Sequence, residues 1–291
     1  MESVTCNLCG SNNLKPVLKT KDYRFQIDNK LFQIVKCKNC DLKFLNPRPN
    51  EKEIKKYYPD DIKWEKEEPK VQNEKYSIIK NLKKGKILDI GCAKGEFLSF
   101  LKNKGYDVYG VEPSADSKIA EKKGIKVKNS ISDFKKNFFD IITMWQVIEH
   151  LHNPNETLKK INHLLKKDGN LVISTLNMES SEAKFFKKHW FHLDIPRHLY
   201  FFSPKTLKKL LQKNGFKIIK IKHFSKQHSH AGIIFSLKNI LINPKSRKTK
   251  IEENKGKNHL FTLCKLVVYP LSVFQATLKK GPIITIVAKK L

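Results

Sequence analysis

The sequence predicts an α/β protein with a doubly wound, mostly parallel sheet, preceded by a small cysteine-bearing segment. Apolar strand-like stretches alternate with amphipathic helix-like stretches from residue 86 onward, which is the pattern of right-handed βαβ units. A glycine-containing turn follows the first of these strands, at the edge where such sheets bind ligands. Two C-x2-C pairs stand near the N-terminus. The first two observations predict the sheet, and the third predicts a metal-binding module.

The length and charge of the chain limit its function. At 291 residues it can bury a full core, as one large domain with additions or as two domains. Its formal charge of +30 usually indicates a nucleic-acid or anionic partner. Only four of the 58 basic residues are Arg, however, and Arg is the residue that grips phosphate bidentately. We therefore interpret the charge as solvated lysine faces and keep nucleic-acid binding as the alternative.

The first 48 residues are predicted to form a zinc ribbon. A C-x2-C turn points two thiolates at one ion, and four thiolates complete the tetrahedron that Zn²⁺ accepts, with no open position for chemistry. The stretches "YRFQI" and "KLFQIVKC" alternate as strands do and predict the hairpin of the ribbon. We expect a structural zinc ion on Cys6, Cys9, Cys37 and Cys40.

After the ribbon, prolines and charges over residues 49–71 predict a connector with a short helix in "NEKEIKKYY". Residues 72–224 are predicted to form the core. Its strands are expected in "KILDI", "YDVYGVEP", "IKVKN", "FDIITMWQVIEHL", "NLVISTLN" and "FKIIKIKHF", with a last strand, "PIITIVAKK", within residues 281–291. The predicted helices are "GEFLSFLKNKG", "ADSKIAEKKG", "PNETLKKINHLLKKDG" and "PKTLKKLLQKNG".

The glycine turn, which runs from Gly91 to Glu96, does not fit a dinucleotide. The G-x-G-x-x-G fingerprint fails because Ala93 stands at its second glycine and a glutamate at its third. Asp89 lies just before the turn, where a carboxylate repels a pyrophosphate and favours a cationic ligand. S-adenosylmethionine (SAM) carries an ammonium and a sulfonium but no phosphate. Glu112, at the end of the next strand, is placed to accept hydrogen bonds from ribose hydroxyls. The turn therefore predicts SAM.

Several motifs carry a resemblance to a known family. "ILDIGCAKGEFL", "VYGVEPS", "FDIITMWQVIEHLHNP" and "LLKKDGNLVIST" resemble the successive motifs of class I SAM-dependent methyltransferases. The cysteine segment running into "FLNPRP", with "DIPRHLYFFSPKTLKKLLQKNGF", resembles a bacterial and archaeal subgroup associated with glycan or small-molecule modification. The front half of sugar C-methyltransferases is also similar, but their long C-terminal domain has no counterpart here, which weighs against a sugar-carbon acceptor.

The resemblance implies a Rossmann-like, seven-stranded sheet whose last strand is antiparallel and lies beside the sixth. It also implies roles for individual residues. The turn shapes the methionine pocket, Glu112 binds ribose, Ile131 or Asp133 lies beside adenine, and Trp145 with Gln146 closes the pocket. Core packing for Trp145 and helix capping for Asp133 are the alternatives. The expected cofactor-binding residues are Asp89, Gly91, Cys92, Ala93, Gly95, Glu112, Pro113, Ile131, Asp133, Trp145 and Gln146.

Methyl transfer to a hydroxyl requires alignment and a base. Histidine titrates nearest the working pH range, and two histidines stand out by position. His150 lies in "IEHLHNP" at the carboxyl edge of the sheet, and His198 lies in "DIPRHLYFF" after the fifth strand. Near His198, Asp194 and Arg197 are expected to orient it or to bind an anionic substrate. A purely structural role is the alternative for both histidines, and we assign no metal to the histidines of this region.

Residues 225–280 form an insertion with two apolar stretches, "AGIIFSLKNILI" and "LFTLCKLVVYPLSVFQATL", around a basic linker. Lys265 and Pro270 interrupt the second stretch, which argues against a helix that spans a membrane. A helical lid over the acceptor pocket is the first interpretation. Peripheral contact of residues 231–278 with an anionic membrane is the second.

Together these features predict a zinc-ribbon-bearing SAM methyltransferase that acts on a small molecule, most plausibly a hydroxyl of a sugar or glycan precursor. The alternatives are an rRNA or tRNA methyltransferase, an enzyme for a lipid-linked acceptor at the membrane surface, and a non-catalytic SAM-binding docking protein. Because no apolar run follows a basic start, we expect a cytoplasmic protein, with peripheral binding at the inner membrane face as the variant.

Overall fold

A computed structural model describes residues 1–59, 69–226, 228–241 and 259–291, with the backbone only for residue 230 and residues 259–267. The chain forms two compact units. The first, here called the cysteine unit, comprises Met1–Ile62, Leu176–Pro204 and Lys222–Ile284. The second, here called the sheet unit, comprises Lys63–Thr175, Lys205–Ile221 and Thr285–Leu291. Residues 176–204, which lie within the predicted core of residues 72–224, group with the N-terminal segment in the structure.

The strands and α-helices follow one another in the order expected of βαβ units. In chain order they are β1 (Leu14–Thr20), β2 (Phe32–Cys37), β3 (Lys43–Leu45), α1 (Pro69–Ile79), β4 (Lys86–Ile90), α2 (Glu96–Asn103), β5 (Asp107–Val111), α3 (Ser117–Lys122), β6 (Lys126–Lys128), β7 (Phe139–Trp145), α4 (Pro154–Leu164), β8 (Leu165–Leu176), α5 (Ser181–Phe186), β9 (Tyr200–Phe201), α6 (Pro204–Lys213), β10 (Phe216–Lys222), α7 (Ser229–Leu241), α8 (His259–Thr277) and β11 (Ile283–Lys290).

The larger sheet confirms the predicted fold class. Its seven strands run in the order β10-β11-β8-β7-β4-β5-β6, so the last strand lies between the sixth and fifth core strands. The pairs β4–β5, β4–β7, β5–β6 and β7–β8 are parallel. Apolar side chains of β4 and β7, such as Ile87, Leu88 and Ile142, are fully buried. Strands covered on both faces read as continuous apolar runs, which is why they were recognisable in the sequence.

One predicted boundary in the sheet unit is wrong. The helix expected to continue to Gly169 ends at Leu164, and β8 begins at Leu165. Leu165 is fully buried and pairs with Phe139 of β7. Burial and strand pairing therefore override the helical propensity of "LLKK", since propensity is only a weak local preference.

The cysteine unit contains a four-stranded sheet in the order β1-β2-β3-β9. Its hairpin differs from the predicted one, because β2 pairs antiparallel with Leu14–Thr20 and "YRFQI" forms no strand. Asp22 explains this difference, since its Oδ1 accepts hydrogen bonds from the backbone N–H groups of Arg24 and Phe25 and folds the segment into a local turn. The predicted short helix of the connector is present as a 3₁₀ turn at Glu53–Tyr57.

Both apolar stretches of the insertion are helical, as predicted, and form α7 and α8. The basic linker between them lies outside the described residues. Several large apolar side chains of these helices are exposed, among them Leu237, Ile240 and Phe274. None of the described helices is long and apolar enough to cross a bilayer. Whether the insertion is a lid or a membrane contact stays a prediction.

A buried ionic network crosses the cysteine unit. The guanidinium of Arg197, 1% exposed, donates to both carboxylate oxygens of Asp22 at 3.1 and 2.7 Å. It also donates to Asp194 Oδ1 at 3.0 and 2.8 Å and to the carbonyl oxygens of Tyr57 and Ile195. Despite the burial of Asp194, which alone would raise its pKa, the guanidinium charges of Arg197 and Arg24 hold that pKa well below its usual range. The network joins three sequence segments that are far apart.

We expect Arg197→Met to destabilise the protein by about 3 to 5 kcal/mol at neutral pH, because it leaves the buried Asp22 without its cationic partner and the buried Asp194 with Arg24 alone. Arg24→Met is the matched control. Arg24 pairs with the same Asp194 at 3.1 Å, but its side chain is 34% exposed, so the loss should be at most about 1 kcal/mol. Urea unfolding with fluorescence and circular dichroism measures both.

The same pair of variants has a pH signature. The stabilisation from the lowered pKa of Asp194 is fully present above the usual aspartate pKa of about 4 and is lost as the pH falls through the folded-state value. The wild type should therefore lose stability on acidification more steeply than Arg197→Met. Equal stabilities of the two arginine variants at neutral pH would contradict a structural role for Arg197.

Candidate functional site

The turn after β4 has a backbone that only particular residues can form. Gly91 has φ +74° and Gly95 has φ +72°. A Cβ on Gly91 would stand 2.6 Å from Val147 Cγ2, and a Cβ on Gly95 would stand 2.5 Å from Ile125 Cδ1. Glycine therefore serves both the left-handed conformation and the close approach. Ala93, the departure from the dinucleotide fingerprint, also has a positive φ, of +47°.

Glu112 fastens the turn to the end of β5. Its Oε2 accepts a hydrogen bond from the N–H of Ala93 at 2.9 Å, and its Oε1 accepts one from the N–H of Ser114 at 2.9 Å. The Gly91 N–H donates to the Val111 carbonyl at 2.8 Å. Each carboxylate oxygen has lone pairs beyond these bonds, so the buried Glu112 can accept from a ligand while it holds the turn. Pro113, the next residue, is exposed.

The floor of the turn carries a second acid. Asp89 is 4% exposed, and its Oδ1 accepts a hydrogen bond from Thr143 Oγ1 at 2.6 Å. Cys92 is buried as well, packed so closely on Gly110 that a Cβ there would lie 2.5 Å from its Sγ. Burial and then the nearby carboxylates of Asp89 and Glu112 raise the pKa of the Cys92 thiol. The thiol is therefore a packing group, while the two carboxylates give the turn a negative character.

The end of β7 lies beside the end of β4, since the two strands are paired in parallel up to Ile90 and Met144. Trp145 packs edge-on against Phe97 of α2, with ring centroids 5.8 Å apart. Gln146 has φ +56°, and its side-chain amide donates to Ser174 Oγ at 3.2 Å. The structure thus brings Trp145 and Gln146 to the same sheet edge as the glycine turn.

Ile131 and Asp133 lie in a 3₁₀ turn after β6, with Ile131 half-buried and Asp133 exposed. The capping residue of this turn is Ser130, whose side chain accepts from the Ser132 N–H. Asp133 is therefore not the N-cap considered in the sequence analysis. His150, half-buried, closes the 3₁₀ turn Ile148–His150 that follows β7.

His198 belongs to the cysteine unit and is held by its own neighbours. Its Nδ1 lies 2.9 Å from the His192 carbonyl oxygen, which can only accept, so Nδ1 carries the proton. The lone pair then resides on Nε2, which is 3.9 Å from Asp194 Oδ2. Arg197 beside it is fully engaged with Asp22, Asp194 and backbone carbonyls. The expectation that Arg197 binds an anionic substrate is therefore wrong.

The two C-x2-C pairs converge within the cysteine unit. The Sγ atoms of Cys6 and Cys40 are 3.3 Å apart, those of Cys9 and Cys37 are 3.5 Å apart, and all four lie within 4.8 Å of one another. Sulfurs on a tetrahedral zinc ion are ~3.8 Å apart, because each Zn–S bond is about 2.3 Å. The donor set and its spacing therefore fit a closed tetrathiolate site.

The two cysteine turns share one backbone design. In each, the residue after the second cysteine has a positive φ, +80° for Gly10 and +71° for Asp41. Its N–H donates to the carbonyl of the first cysteine, Cys6 or Cys37, at 2.7 and 3.0 Å. Burial raises the pKa of the Cys6 thiol to about 11, so Cys6 needs a nearby cation to be a thiolate at neutral pH.

Two side chains that hold predicted site residues in place could not be identified from the sequence. Thr143 lies inside an apolar strand, and nothing local shows that its hydroxyl donates to Asp89. Asp22, the main partner of Arg197, is separated from it by 175 positions. The position of Thr143 inside an apolar run is one available signal that its hydroxyl is buried and paired, whereas the polar neighbours of Asp22 in "KTKDYR" give none.

Comparison with known proteins gives the family. A family model described as a methyltransferase domain matches residues 64–221. A Methanocaldococcus jannaschii protein of unassigned function is 29% identical over 57% of this chain and 81% of its own length. A ubiquinone biosynthesis O-methyltransferase of Glaesserella parasuis is 33% identical over 32% of this chain, which spans 45% of that relative. A tRNA U34 carboxymethyltransferase of Helicobacter pylori is 30% identical over 50% of this chain and 63% of its own.

Among solved structures, a SAM-dependent methyltransferase from Archaeoglobus fulgidus superposes with a TM-score of 0.51. It is 23% identical, and the match covers 76% of this chain and 93% of that one. This likeness shows the fold.

Proposed function

Since the chain belongs to the family of methyltransferase domains, we propose that it transfers a methyl group from SAM to a hydroxyl of a small-molecule acceptor. The sugar or glycan precursor expected from the sequence is one acceptor of this class. An O-methyltransferase among the relatives supports the choice of a hydroxyl, although the chain spans less than half of that relative.

The observation that carries the proposal is the acidic glycine turn. Asp89 is buried at its floor, and Glu112 grips its backbone. A pyrophosphate would meet two carboxylates here, whereas a ligand with an ammonium, a sulfonium and a ribose finds complementary groups. This supports SAM over a dinucleotide.

The residues around the turn would share the work of binding. We propose that Asp89 attracts the ammonium of SAM, that Glu112 accepts from its ribose, and that Trp145 and Gln146 line the pocket. Gly91, Cys92, Ala93, Gly95 and Pro113 would shape the backbone, with Ile131 or Asp133 beside adenine. When bound, SAM supplies an electrophilic methyl group. The enzyme then needs to align the acceptor and remove its proton.

We propose that His198 removes this proton, because its Nδ1–H is fixed by the His192 carbonyl and its Nε2 therefore keeps a lone pair. Asp194, 3.9 Å from Nε2, favours the imidazolium that proton transfer creates. His150 is the second candidate for the base.

An RNA substrate is the main alternative, and a tRNA-modifying relative keeps it open. The ion pairs formed by the arginines argue against an RNA substrate. All three arginines in the described part of the chain are committed to internal ion pairs, Arg24 with Asp194, Arg48 with Glu2, and Arg197 with Asp22. Arg247 lies outside that part. Arg48 and Arg197 are buried in these pairs and Arg24 is only partly exposed, so the positive surface of the described residues is mainly lysine.

Two further alternatives concern the insertion and the active site. The exposed apolar side chains of α7 and α8 support a lipid-linked acceptor at a membrane surface. A non-catalytic SAM-binding docking protein would keep the glycine turn but would not depend on His198.

We propose that Cys6, Cys9, Cys37 and Cys40 bind one structural zinc ion. Their mutual spacing supports this assignment, and four thiolates leave no coordination position for a substrate. The ion would order the turns at both ends of the β1–β2 segment.

The cofactor proposal is tested by calorimetry with SAM. Glu112→Ala should weaken SAM binding by about 1 to 3 kcal/mol, because it removes charged hydrogen bonds to ribose and to the Ala93 N–H. Glu156→Ala removes the same charge from the start of α4, where the exposed Glu156 pairs with Lys159, and should bind SAM as the wild type does. An unchanged Kd in Glu112→Ala, or tight NAD binding by the wild type, would contradict the assignment.

The reaction is tested with methyl-labelled SAM and fractionated cell extract. Label should enter a small soluble pool, not RNA or lipid.

His198→Ala should keep its SAM affinity while turnover falls roughly 100-fold, the usual effect of losing a positioned base. The ascending limb of the wild-type rate against pH should disappear in the variant, and His150→Ala should retain that limb. A His198→Ala protein that turns over at the wild-type rate would refute the role, and a raised KM alone would make His198 a binding residue.

The zinc proposal is tested by elemental analysis of protein purified without chelator. We expect one zinc ion per chain in the wild type and in Cys92→Ala, because Cys92 is not one of the four clustered cysteines. Cys37→Ser should lose zinc and thermal stability together, since binding free energy of a structural metal is folding free energy. A wild-type protein that contains no zinc and is as stable as the zinc-loaded protein would exclude the site.

A further inference from the structure

The first helix of the insertion, α7, buries polar side chains against the rest of the cysteine unit. Ser229, Ser236 and Asn239 are at most 7% exposed. Ser236 Oγ accepts a hydrogen bond from the Phe191 N–H at 2.9 Å, and the side-chain amide of Asn239 donates to the His189 carbonyl at 3.0 Å. Polar side chains therefore hold much of the buried face of α7 in place.

The second helix, α8, meets α7 through small polar residues as well. Ser272 is fully buried, and its hydroxyl lies 3.3 Å from the carbonyl oxygen of Ser229 on α7 and 3.0 Å from that of Val268. Small residues and side-chain hydrogen bonds between helices are typical of helix pairs in lipid, where contact between apolar side chains gives no gain over contact with acyl chains. The contact between α7 and α8 is therefore of a kind that persists in a lipid environment.

The exposed faces of the two helices carry large apolar side chains. These side chains are three or four positions apart, which places them on one side of each helix, and their exposed fractions run from 43 to 80%. They are Leu237, Ile240 and Leu241 of α7, Leu271 and Phe274 of α8, and Leu278 directly after α8. In an amphipathic helix that folds against a core in water, the apolar stripe faces the core. Here large apolar side chains face outward while serines and an asparagine face inward.

The charges around these helices indicate what covers the apolar faces. The sequences of α7 and α8 contain no Asp or Glu. The linker sequence between them, residues 242–258, has six basic and two acidic residues, and the exposed Lys279 and Lys280 follow α8. A second copy of the chain would bring the same positive charge to the contact, which opposes self-association. An anionic bilayer offers acyl chains to the apolar side chains and negative headgroups to the lysines.

We propose that α7 and α8 bind the interface of an anionic lipid bilayer through their exposed apolar faces. Side chains such as Leu237 and Phe274 enter the boundary between headgroups and acyl chains, and the exposed Lys238 extends its ammonium to the headgroups. The surface uses none of the residues assigned to SAM, to zinc or to the base. It concerns where the protein binds and does not rest on the proposed methyl transfer.

The first test measures flotation of the full-length protein with lipid vesicles. Vesicles of phosphatidylcholine alone are compared with vesicles that contain an equal part of phosphatidylglycerol. The protein should bind the anionic vesicles and remain partly bound in high salt, which screens the lysines but not the apolar contacts. No binding to the anionic vesicles, or complete release in high salt, would overturn the proposal.

A double variant separates the apolar contacts from the charge. Leu237→Ser with Phe274→Ser leaves the net charge unchanged and should weaken binding to the anionic vesicles about tenfold or more. The matched control, Ile119→Ser with Ile219→Ser, changes two exposed apolar side chains of the sheet unit and should bind as the wild type does. Circular dichroism checks that both variants are folded. Equal binding by the two double variants would show that lysines alone attract the lipid and would refute the proposal.

A fluorescent reporter tests insertion directly. Phe274→Trp places an indole on the exposed face of α8, and bromine atoms on the acyl chains of the vesicles should quench its emission, in excess of any quenching seen in the wild type. An added tryptophan that bromine does not quench would contradict insertion. Sedimentation without lipid tests a second copy as the occupant. A wild-type dimer that dissociates in the Leu237→Ser, Phe274→Ser variant would assign the apolar faces to self-association instead.

Discussion

The buried guanidinium of Arg197 is the constraint on which the cysteine unit depends. It binds Asp22 near the N-terminus, the carbonyl of Tyr57 and Asp194. A buried charge without its partners is costly, so these segments must meet for the unit to fold. His198 follows Arg197 directly, and its Nδ1 is bonded to a carbonyl of the same loop. The network therefore sets the position of the histidine that we propose as the base, although Arg197 itself has no free donor for a substrate.

The sheet unit reaches its functional geometry in another way. Here parallel strands bring their carboxyl ends to one edge, and the glycine turn presses so close to Val147 that no side chain fits at Gly91. Glu112 then holds the Ala93 N–H in place with a hydrogen bond. A site whose acids and backbone are fixed in advance loses little entropy on binding. The acidity of the turn, more than its glycine pattern, distinguishes a cationic cofactor from a dinucleotide.

How much of each unit can be predicted from the sequence depends on whether local runs of residues or pairs of distant residues determine its structure. The strands of the sheet unit were recognisable because burial on both faces makes them continuous apolar runs, and the acids Asp89 and Glu112 lie at fixed offsets from those runs. The cysteine pairs were recognisable by their spacing. The end of α4 at Leu164 was not, because pairing of Leu165 with Phe139 decides it. Nor was the pairing of Asp22 with Arg197, which is 175 positions away. Local patterns carry no information on such distant pairs.

The allocation of basic residues connects stability with function. Arginine is scarce in this chain, and each described arginine forms an ion pair within the cysteine unit. Both units also bury apolar side chains, such as Ile34 and Phe44 in the cysteine unit and Ile87 and Leu98 in the sheet unit. Lysine, a hydrated point charge on a flexible stem, carries most of the net charge of +30. Attraction of the surface to polyanions is therefore expected to be weak in specificity and sensitive to salt. Selection of an acceptor must then come from groups other than the surface lysines.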